Sequence, residues 1–154
     1  MATQSQAARE IEIYLKRHAI TYRTEVRYPE CKDKRQLPFD FEIIVNGRVG
    51  LIEFDGAQHF KLTSKFHGTD TSKLTLQQSH DVIKTRFAKN TNKSLLRIAY
   101  TETDTLYVEL DKYVLAMKSS SNPIYMFSND KLYHQHLQII YPPPPPKASS
   151  CTIL

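Results

Sequence analysis

Four carboxylates flank a short turn in the sequence and are spaced so that they could share a metal ion. Asp40 and Glu42 precede an Asn-Gly pair at residues 46–47, and Glu53 and Asp55 follow it. Apolar runs on both sides of an Asn-Gly pair are the strongest short-range indication of a β-hairpin. Counting outward from a two-residue turn places Asp40 opposite Glu53, where like charges destabilise a sheet. A divalent cation such as Mg²⁺ takes carboxylate oxygens as ligands and offsets that repulsion. The spacing therefore predicts a metal site built on a hairpin.

The same counting predicts the register and the faces of the hairpin. Three pairs are expected to face each other, namely Val45 and Arg48, Ile43 and Gly50, and Phe41 and Ile52. Successive side chains alternate across a strand. One face is therefore expected to carry the apolar residues Phe39, Phe41, Ile43, Val45, Ile52 and Phe54. The other face is expected to carry the four carboxylates.

The acidic residues also lie within motifs that resemble a known nuclease superfamily. The motifs are Pro38-Phe39-Asp40 and the later run Glu53-Phe54-Asp55-Gly56-Ala57-Gln58-His59. They resemble the core of the PD-(D/E)XK nucleases, and most of all a subgroup with the pattern F-D-F … I-E-F-D-G-x-Q-H. That subgroup occurs in small proteins of large DNA viruses and in bacterial relatives of the very-short-patch repair endonucleases. The similarity continues through residues 80–84 and 95–100 and covers most of residues 5–115.

The resemblance implies a metal-dependent endonuclease of viral origin that hydrolyses phosphodiester bonds, with DNA favoured over RNA as the substrate. Asp40, Glu53 and the backbone carbonyl of Phe54 would hold Mg²⁺ or Mn²⁺. Asp55 would orient the attacking water or bind a second ion. Gln58 and His59 would hydrogen-bond the phosphate or protonate the leaving oxygen. Many nucleases of this superfamily dimerise, so the resemblance also admits a homodimer.

The superfamily pattern places a lysine two residues after Glu53, where this chain has Asp55. In several branches that lysine has moved to the next helix, and Lys84 matches the new place. Gln77, Asp81 and Lys84 follow one another at i, i+4 and i+7, so they share one stripe of a helix. We therefore expect Lys84 to take part in catalysis. The alternative is that Asp81 and Lys84 form an ordinary surface ion pair.

Related nucleases often carry a glutamate on the first helix, where this chain has Ala7 or Ala8. Glu10 is the candidate replacement, and Glu12 is the candidate if the helix register differs. A solvated carboxylate is the alternative for either residue.

Periodicity predicts a mixed α/β fold in which helices flank a β-sheet with the hairpin at its centre. The resemblance implies that this fold is of the restriction-endonuclease-like kind. The expected order is a helix at 4–18, a strand at 20–28, the hairpin, a loop at 61–73, a helix at 74–90, a strand at 94–100 and a helix at 106–118. Ser5 is expected to cap the first helix. Gly56 is expected to supply a positive φ after Asp55. Arg97 interrupts an apolar strand and is expected to form a structural salt bridge.

Composition is consistent with a single nucleic-acid-binding domain. The chain has 154 residues with Lys+Arg 21 and Asp+Glu 16, which gives a formal net charge of +5. A moderately basic chain is compatible with nucleic acid or with an anionic membrane surface. Four basic residues near the hairpin are candidate phosphate contacts, and a solvated loop is their alternative role: Lys32, Lys34, Arg35 and Lys61. No signal peptide or membrane span is evident, so an intracellular location is expected, in the host nucleus or cytoplasm for a viral protein.

Three segments are expected: a nuclease-like core at 1–118, an extension packed on it at 119–141, and a disordered polyproline tail at 142–154. Cys31 and Cys151 form no metal-binding pattern. The run Cys151-Thr152-Ile153-Leu154 fits a prenylation motif at Cys151, which would associate the protein with membranes in a eukaryotic host. The second functional hypothesis is a catalytically weakened nuclease fold that binds nucleic acid or protein, with or without this lipid anchor.

Overall fold

The computed structural model describes residues 4–63 and 66–149. The elements in these ranges are α1 (Gln4–Arg17), β1 (Thr21–Val26), β2 (Phe39–Val45), β3 (Arg48–Asp55), α2 (Thr71–Asn90), β4 (Ser94–Ala99), α3 (Leu106–Ser119), β5 (Tyr125–Phe127) and α4 (His134–Ile140). Two 3₁₀ segments lie at Ala57–His59 and Tyr100–Thr105. No helix in these ranges combines the length and the apolar character needed to cross a membrane.

The strands form one sheet in the order β1-β2-β3-β4-β5. The first three strands are antiparallel, whereas β4 runs parallel to β3 and β5 runs parallel to β4. The α/β class with a mixed sheet flanked by helices is therefore confirmed, and the arrangement is consistent with a restriction-endonuclease-like fold. The parallel part arises because α2 connects β3 to β4 and α3 connects β4 to β5, as parallel neighbours require a crossover.

The central hairpin has the predicted turn and register. Asn46 and Gly47 have φ values of 50° and 73°, and a two-residue turn with positive φ at both central positions matches the twist of paired strands. Val45 pairs with Arg48, and the register continues outward to Phe41 and Ile52. Since this turn depends only on local backbone preference, sequence alone predicts it.

Two apolar clusters cover the two faces of the sheet. One cluster joins α1 and α3 to Phe41, Ile43, Val45, Ile52 and Phe54, as expected. The prediction for Phe39 is wrong, because it packs in the second cluster with Leu51, Phe87 and Leu95 on the α2 side. The paired register of β2 and β3 ends at Phe41 and Ile52. The alternation that the hairpin imposes therefore need not extend to Phe39.

The N-terminal ends of two helices differ from their predictions. Ser5 does not cap α1, because it lies within a helix that already includes Gln4. Helix α2 begins at Thr71, so the preceding loop is shorter than expected. The carboxylate of Asp70 accepts a hydrogen bond of 2.9 Å from the backbone N of Ser72 and caps α2. Aspartate is among the preferred N-cap residues, and that signal was present in the sequence.

Residues 119–141 add one strand and one helix that belong to the core packing. Strand β5 pairs with β4, and α4 packs on α2, where Lys89 Nζ donates to the carbonyl of Ile139 at 2.7 Å. Residues 142–149, which include the proline run, are exposed and lie outside helix and strand. Cys151 lies outside the described residues, so its modification stays a prediction.

Candidate active site

Asp40 and Glu53 meet where the pairing of β2 and β3 ends. The backbone N of Asp40 donates to Glu53 Oε1 at 3.2 Å, and the backbone N of Phe54 donates to Asp40 Oδ2 at 2.8 Å. Each carboxylate accepts from a backbone N–H of the opposite strand, as a carbonyl does in a regular ladder. The hairpin therefore holds the two predicted metal ligands side by side, and the carbonyl of Phe54 belongs to the same short segment.

Lys84 reaches this pair from α2. Its Nζ lies 2.7 Å from Glu53 Oε2 and 5.1 Å from the centroid of the Phe39 ring. The side chain of Lys84 is only 10 % exposed and that of Glu53 only 3 %. Burial raises the pKa of the Glu53 carboxyl, the Lys84 ammonium opposes this effect, and the Asp40 carboxylate adds to it. An ordinary surface pair of Asp81 with Lys84 is not what the structure shows, because both side chains are buried and bind other partners.

An open groove of about 390 Å³ gives access to Asp40. Residues of α1 and β1 form its other walls, with Arg9 and Glu12 contributing charge. Burial raises the pKa of the Asp40 carboxyl, against the effect of the Phe54 N–H. Asp40 Oδ2 accepts that N–H, whereas no hydrogen bond to Oδ1 is found within the described ranges. The groove thus offers a route to Asp40 from the side of α1 and β1.

The first-helix carboxylate that faces the groove is Glu12 and not Glu10. Glu10 is exposed and accepts a hydrogen bond of 2.6 Å from Tyr107 of α3, whereas Glu12 lines the groove. Glu12 accepts from Tyr22 at 2.6 Å and lies 3.3 Å from Lys16. The two glutamates are two residues apart, about 200° around a helix. Only the docking of α1 on the sheet decides which of them reaches the groove.

A second buried cluster surrounds Arg97, beside Glu53 in the β3–β4 register. Arg97 Nε and Nη2 donate to the two oxygens of Asp55 at 2.8 Å each, and Nη2 lies 2.9 Å from Asp81 Oδ1. Tyr133 OH also donates to Asp55 Oδ2 at 2.8 Å. The structural salt bridge expected for Arg97 is present. Both oxygens of Asp55 are engaged by the protein, which favours a structural role over the predicted activation of water.

His59 belongs to this second cluster. Its Nδ1 lies 2.7 Å from Asp81 Oδ2, 3.3 Å from Gln77 Nε2 and 3.4 Å from Asp55 Oδ1. Burial lowers the pKa of the imidazole, but the hydrogen bond to Asp81 and the charge of Asp55 outweigh burial and raise the pKa overall. Arg97 and His59 together hold the pKa of the Asp81 carboxyl well below its usual range, against burial. Nδ1, and not Nε2, is therefore the ring nitrogen that faces this cluster.

The oxygen and nitrogen atoms of Asp55, His59 and Asp81 all lie within 4.8 Å of one another, a spacing that a metal ion could use. The Arg97 guanidinium already lies against both carboxylates and supplies the positive charge that a cation would bring. We therefore assign no metal to this cluster.

The backbone conformation of Gly56 does not require glycine. Its φ is −67° and its ψ is 171°, an extended conformation that any residue adopts, so the expected positive φ is wrong. A Cβ at this position would overlap the side-chain amide of Gln58. Gln58 therefore folds back over Gly56, and its predicted contact with phosphate stays a prediction.

The C-terminal extension supplies buried polar groups that sequence reasoning missed. Besides Tyr133, His136 Nδ1 lies 2.7 Å from Thr85 Oγ1 of α2. Burial, and next the charge of Arg97, lowers the pKa of His136 to about 3. Tyr133 and His136 line a cavity of about 40 Å³ beside Asp55 and His59, which is large enough for ordered water. Tyr133 lies 78 residues from Asp55, and no local pattern links two such positions.

The predicted phosphate-binding residues are exposed. Lys32, Lys34 and Arg35 lie in a loop closed by a bridge between Lys32 and Gln36, and Lys61 Nζ lies 5.5 Å from the Tyr100 ring centroid. His67, which was not assigned to the site, is buried and accepts from the backbone N of Thr63 at 3.1 Å.

Comparisons of the chain with protein-family models, with curated proteins and with solved structures give no match.

Proposed function

We propose that this protein is a metal-dependent nuclease that hydrolyses phosphodiester bonds in nucleic acid, with DNA as the favoured substrate. The observation that carries the proposal is the convergence of Asp40, Glu53 and Lys84 at the open end of the hairpin. A pair of carboxylates beside a buried ammonium is a costly arrangement for stability alone. Perturbed, buried charges that border a groove are candidates for a functional site.

The donor atoms suit Mg²⁺ or Mn²⁺. Asp40 and Glu53 would hold the cation with the carbonyl of Phe54, and such oxygen ligands are those that hard cations prefer. Asp40 borders the groove, so a ligand can approach its carboxylate. A bound cation would supply a Lewis acid that neutralises phosphate charge and lowers the pKa of water.

The remaining residues have roles that follow from their contacts. Lys84 orients the Glu53 carboxylate through its 2.7 Å contact and places positive charge where charge develops on the phosphorane. His59, oriented by Asp81, presents Nε2 as the proton donor for the leaving oxygen, which is the arrangement of an acid–base histidine. Lys84 and His59 both lower the pKa of the Asp40 carboxyl, which places them within electrostatic range of it.

The test is cleavage of labelled single-stranded, nicked, branched and duplex DNA and of RNA, with Mg²⁺, with Mn²⁺ and with EDTA. Asp40→Asn and Glu53→Gln remove one charge each with little change of shape and should abolish cutting. Glu42→Gln is the matched control, because Glu42 lies on the same hairpin but pairs with Arg23 at 2.7 Å. Thermal unfolding of each variant establishes that it is folded. Absence of metal-dependent cutting by the folded wild type on every substrate would refute the proposal.

A second candidate is a binding module with a weakened site. The observation that favours it is that Lys84 already donates to Glu53 Oε2 and supplies part of the positive charge that a cation would bring. Tight binding of nucleic acid without cleavage, unchanged by Asp40→Asn, would support this candidate over the enzyme.

A further inference from the structure

We propose that a pocket between the loop that carries Lys34 and Arg35 and helix α2 binds one unpaired nucleotide of a nucleic-acid strand. The base lies against Leu37 and Leu76, and the neighbouring phosphates lie near Lys34 and Arg35. We call this the loop pocket; it has a volume of about 280 Å³ and is lined by Asp33, Lys34, Arg35, Leu37, Leu76 and His80. The inference rests on the proposed nuclease function, since it identifies the substrate form that the same site would accept.

The interior of the loop pocket is apolar. Leu37 is 8 % exposed, whereas Leu76 is 50 % exposed on the solvent side of α2. A half-exposed leucine over a concave surface leaves apolar area that a flat ring would cover. The volume is slightly below the range of pockets for drug-sized ligands and suits a single ring system.

The rim of the loop pocket is positive. Lys34 and Arg35 are exposed, and neither forms an ion pair with any residue that the structure describes. The acidic residue Asp33 is held by His80, whose Nε2 lies 3.0 Å from Asp33 Oδ2. Lys32 adds a further cation to the same loop. A ligand with a flat apolar part and negative charges satisfies both features, whereas inorganic phosphate would leave the leucines uncovered.

The position of the loop pocket connects it to the candidate active site. Leu37 precedes Asp40 by three residues, and His80 precedes Lys84 by four residues on α2. Four helical residues correspond to a rise of about 6 Å. The loop pocket therefore lies about one helical turn along α2 from Lys84, the residue that contacts Glu53.

The proposal predicts a preference for unpaired nucleotides. A base within a duplex is stacked and paired, and it must leave the stack before it can enter a pocket. A single strand carries no such cost, so the loop pocket favours single-stranded or locally unpaired substrate over intact duplex.

The experiment measures fluorescence anisotropy of a labelled single-stranded DNA and of the matching duplex, in EDTA, so that binding is read without cleavage. Leu76→Ser should weaken single-strand binding about fivefold or more and leave its salt dependence unchanged, because it removes apolar contact only. Arg35→Gln should weaken binding and reduce the slope of log K against log salt by about one phosphate contact. Leu115→Ser, at another exposed leucine on α3, is the matched control and should change nothing.

The proposal would be overturned by unchanged single-strand affinity in Leu76→Ser, by equal affinity of the wild type for duplex and single strand, or by no binding of either. If polyglutamate competes with DNA for the wild type but not for Leu76→Ser, the pocket binds an acidic peptide, and this result also overturns the proposal. Because binding is measured in EDTA, the affinity is read independently of any metal-dependent cleavage. Failure of the nuclease proposal, seen as absent cleavage, is therefore distinguishable from failure of the pocket proposal, seen as absent or Leu76-independent binding.

Discussion

Replacement of Arg97 by methionine should destabilise the fold strongly. Arg97 is fully buried, donates two hydrogen bonds of 2.8 Å to Asp55 and lies 2.9 Å from Asp81. Arg97→Met leaves both buried carboxylates without their countercharge. Removal of one partner of a buried ion pair costs about 3–5 kcal/mol, a large part of the roughly 5–15 kcal/mol that stabilises a typical domain. At about 2–4 °C per kcal/mol, the melting temperature should fall by roughly 6–20 °C.

The stability that Arg97→Met loses should be greater at neutral pH than in acid. Arg97 and His59 lower the pKa of Asp81 in the folded state, so the stabilisation from this carboxylate is present above its unfolded pKa and is lost as the pH falls. Without Arg97 most of that stabilisation is absent at neutral pH. The difference between wild type and Arg97→Met should therefore be largest near pH 7 and shrink in acid.

Urea unfolding of the wild type and Arg97→Met measures the difference directly. Lys16→Met is the control, because Lys16 lies 3.3 Å from Glu12 and both side chains are exposed, at 65 % and 40 %; this change should cost far less stability, because exposed ion pairs contribute little. A double-mutant cycle with Asp55→Asn isolates the coupling between the two groups. A loss below about 1 kcal/mol in Arg97→Met, with an unchanged m-value, would contradict the assignment of this cluster as a stabilising network.

Three further predictions concern single positions. Lys84→Met should lower the cleavage rate by about 100-fold or more, the cost of removing a group that stabilises transition-state charge; an unchanged rate in a folded variant would remove Lys84 from the mechanism. The pKa of His136 is lowered from 6.5 to about 3, so the unfolded chain takes up a proton first and stability should fall as the pH drops from 6.5 towards 3. Urea unfolding at pH 7 and pH 4 should show a smaller acid loss in His136→Gln than in the wild type, and equal losses would contradict this reasoning. Gly47→Ala should lower the free energy of unfolding by about 1 kcal/mol, because φ is 73° and alanine disfavours that region. Gly47→Asn should lower it less, and chemical denaturation measures both. Equal losses would show that backbone conformation is not the cause.

Helices α2 and α1 show which parts of the candidate site the sequence predicts and which it does not. The stripe of Gln77, Asp81 and Lys84 was predictable, because residues at i, i+4 and i+7 share one side of a helix. The structure brings the first two to His59 and the third to Glu53. The choice between Glu10 and Glu12 was not predictable, because the rotation of α1 against the sheet depends on packing.

The sequence by itself determined the elements whose cause is local. The Asn46 and Gly47 turn, the register from Val45 to Phe41 and the α/β order follow from backbone preference and side-chain period within a few residues. The juxtaposition of Asp40 and Glu53 follows from the same counting. These features depend on residues that are close together in the sequence, so they can be predicted without knowledge of the fold.

Only the tertiary structure decided which buried charges are paired with which partner. The motif predicts that Asp55 orients the attacking water or binds a second ion, but Arg97, 42 residues away, and Tyr133, 78 residues away, occupy its oxygens. A buried charge must find an opposite charge or a hydrogen-bond donor wherever packing provides one. That partner is set by how the strands and helices dock, and the docking is a property of the whole chain and not of any short segment.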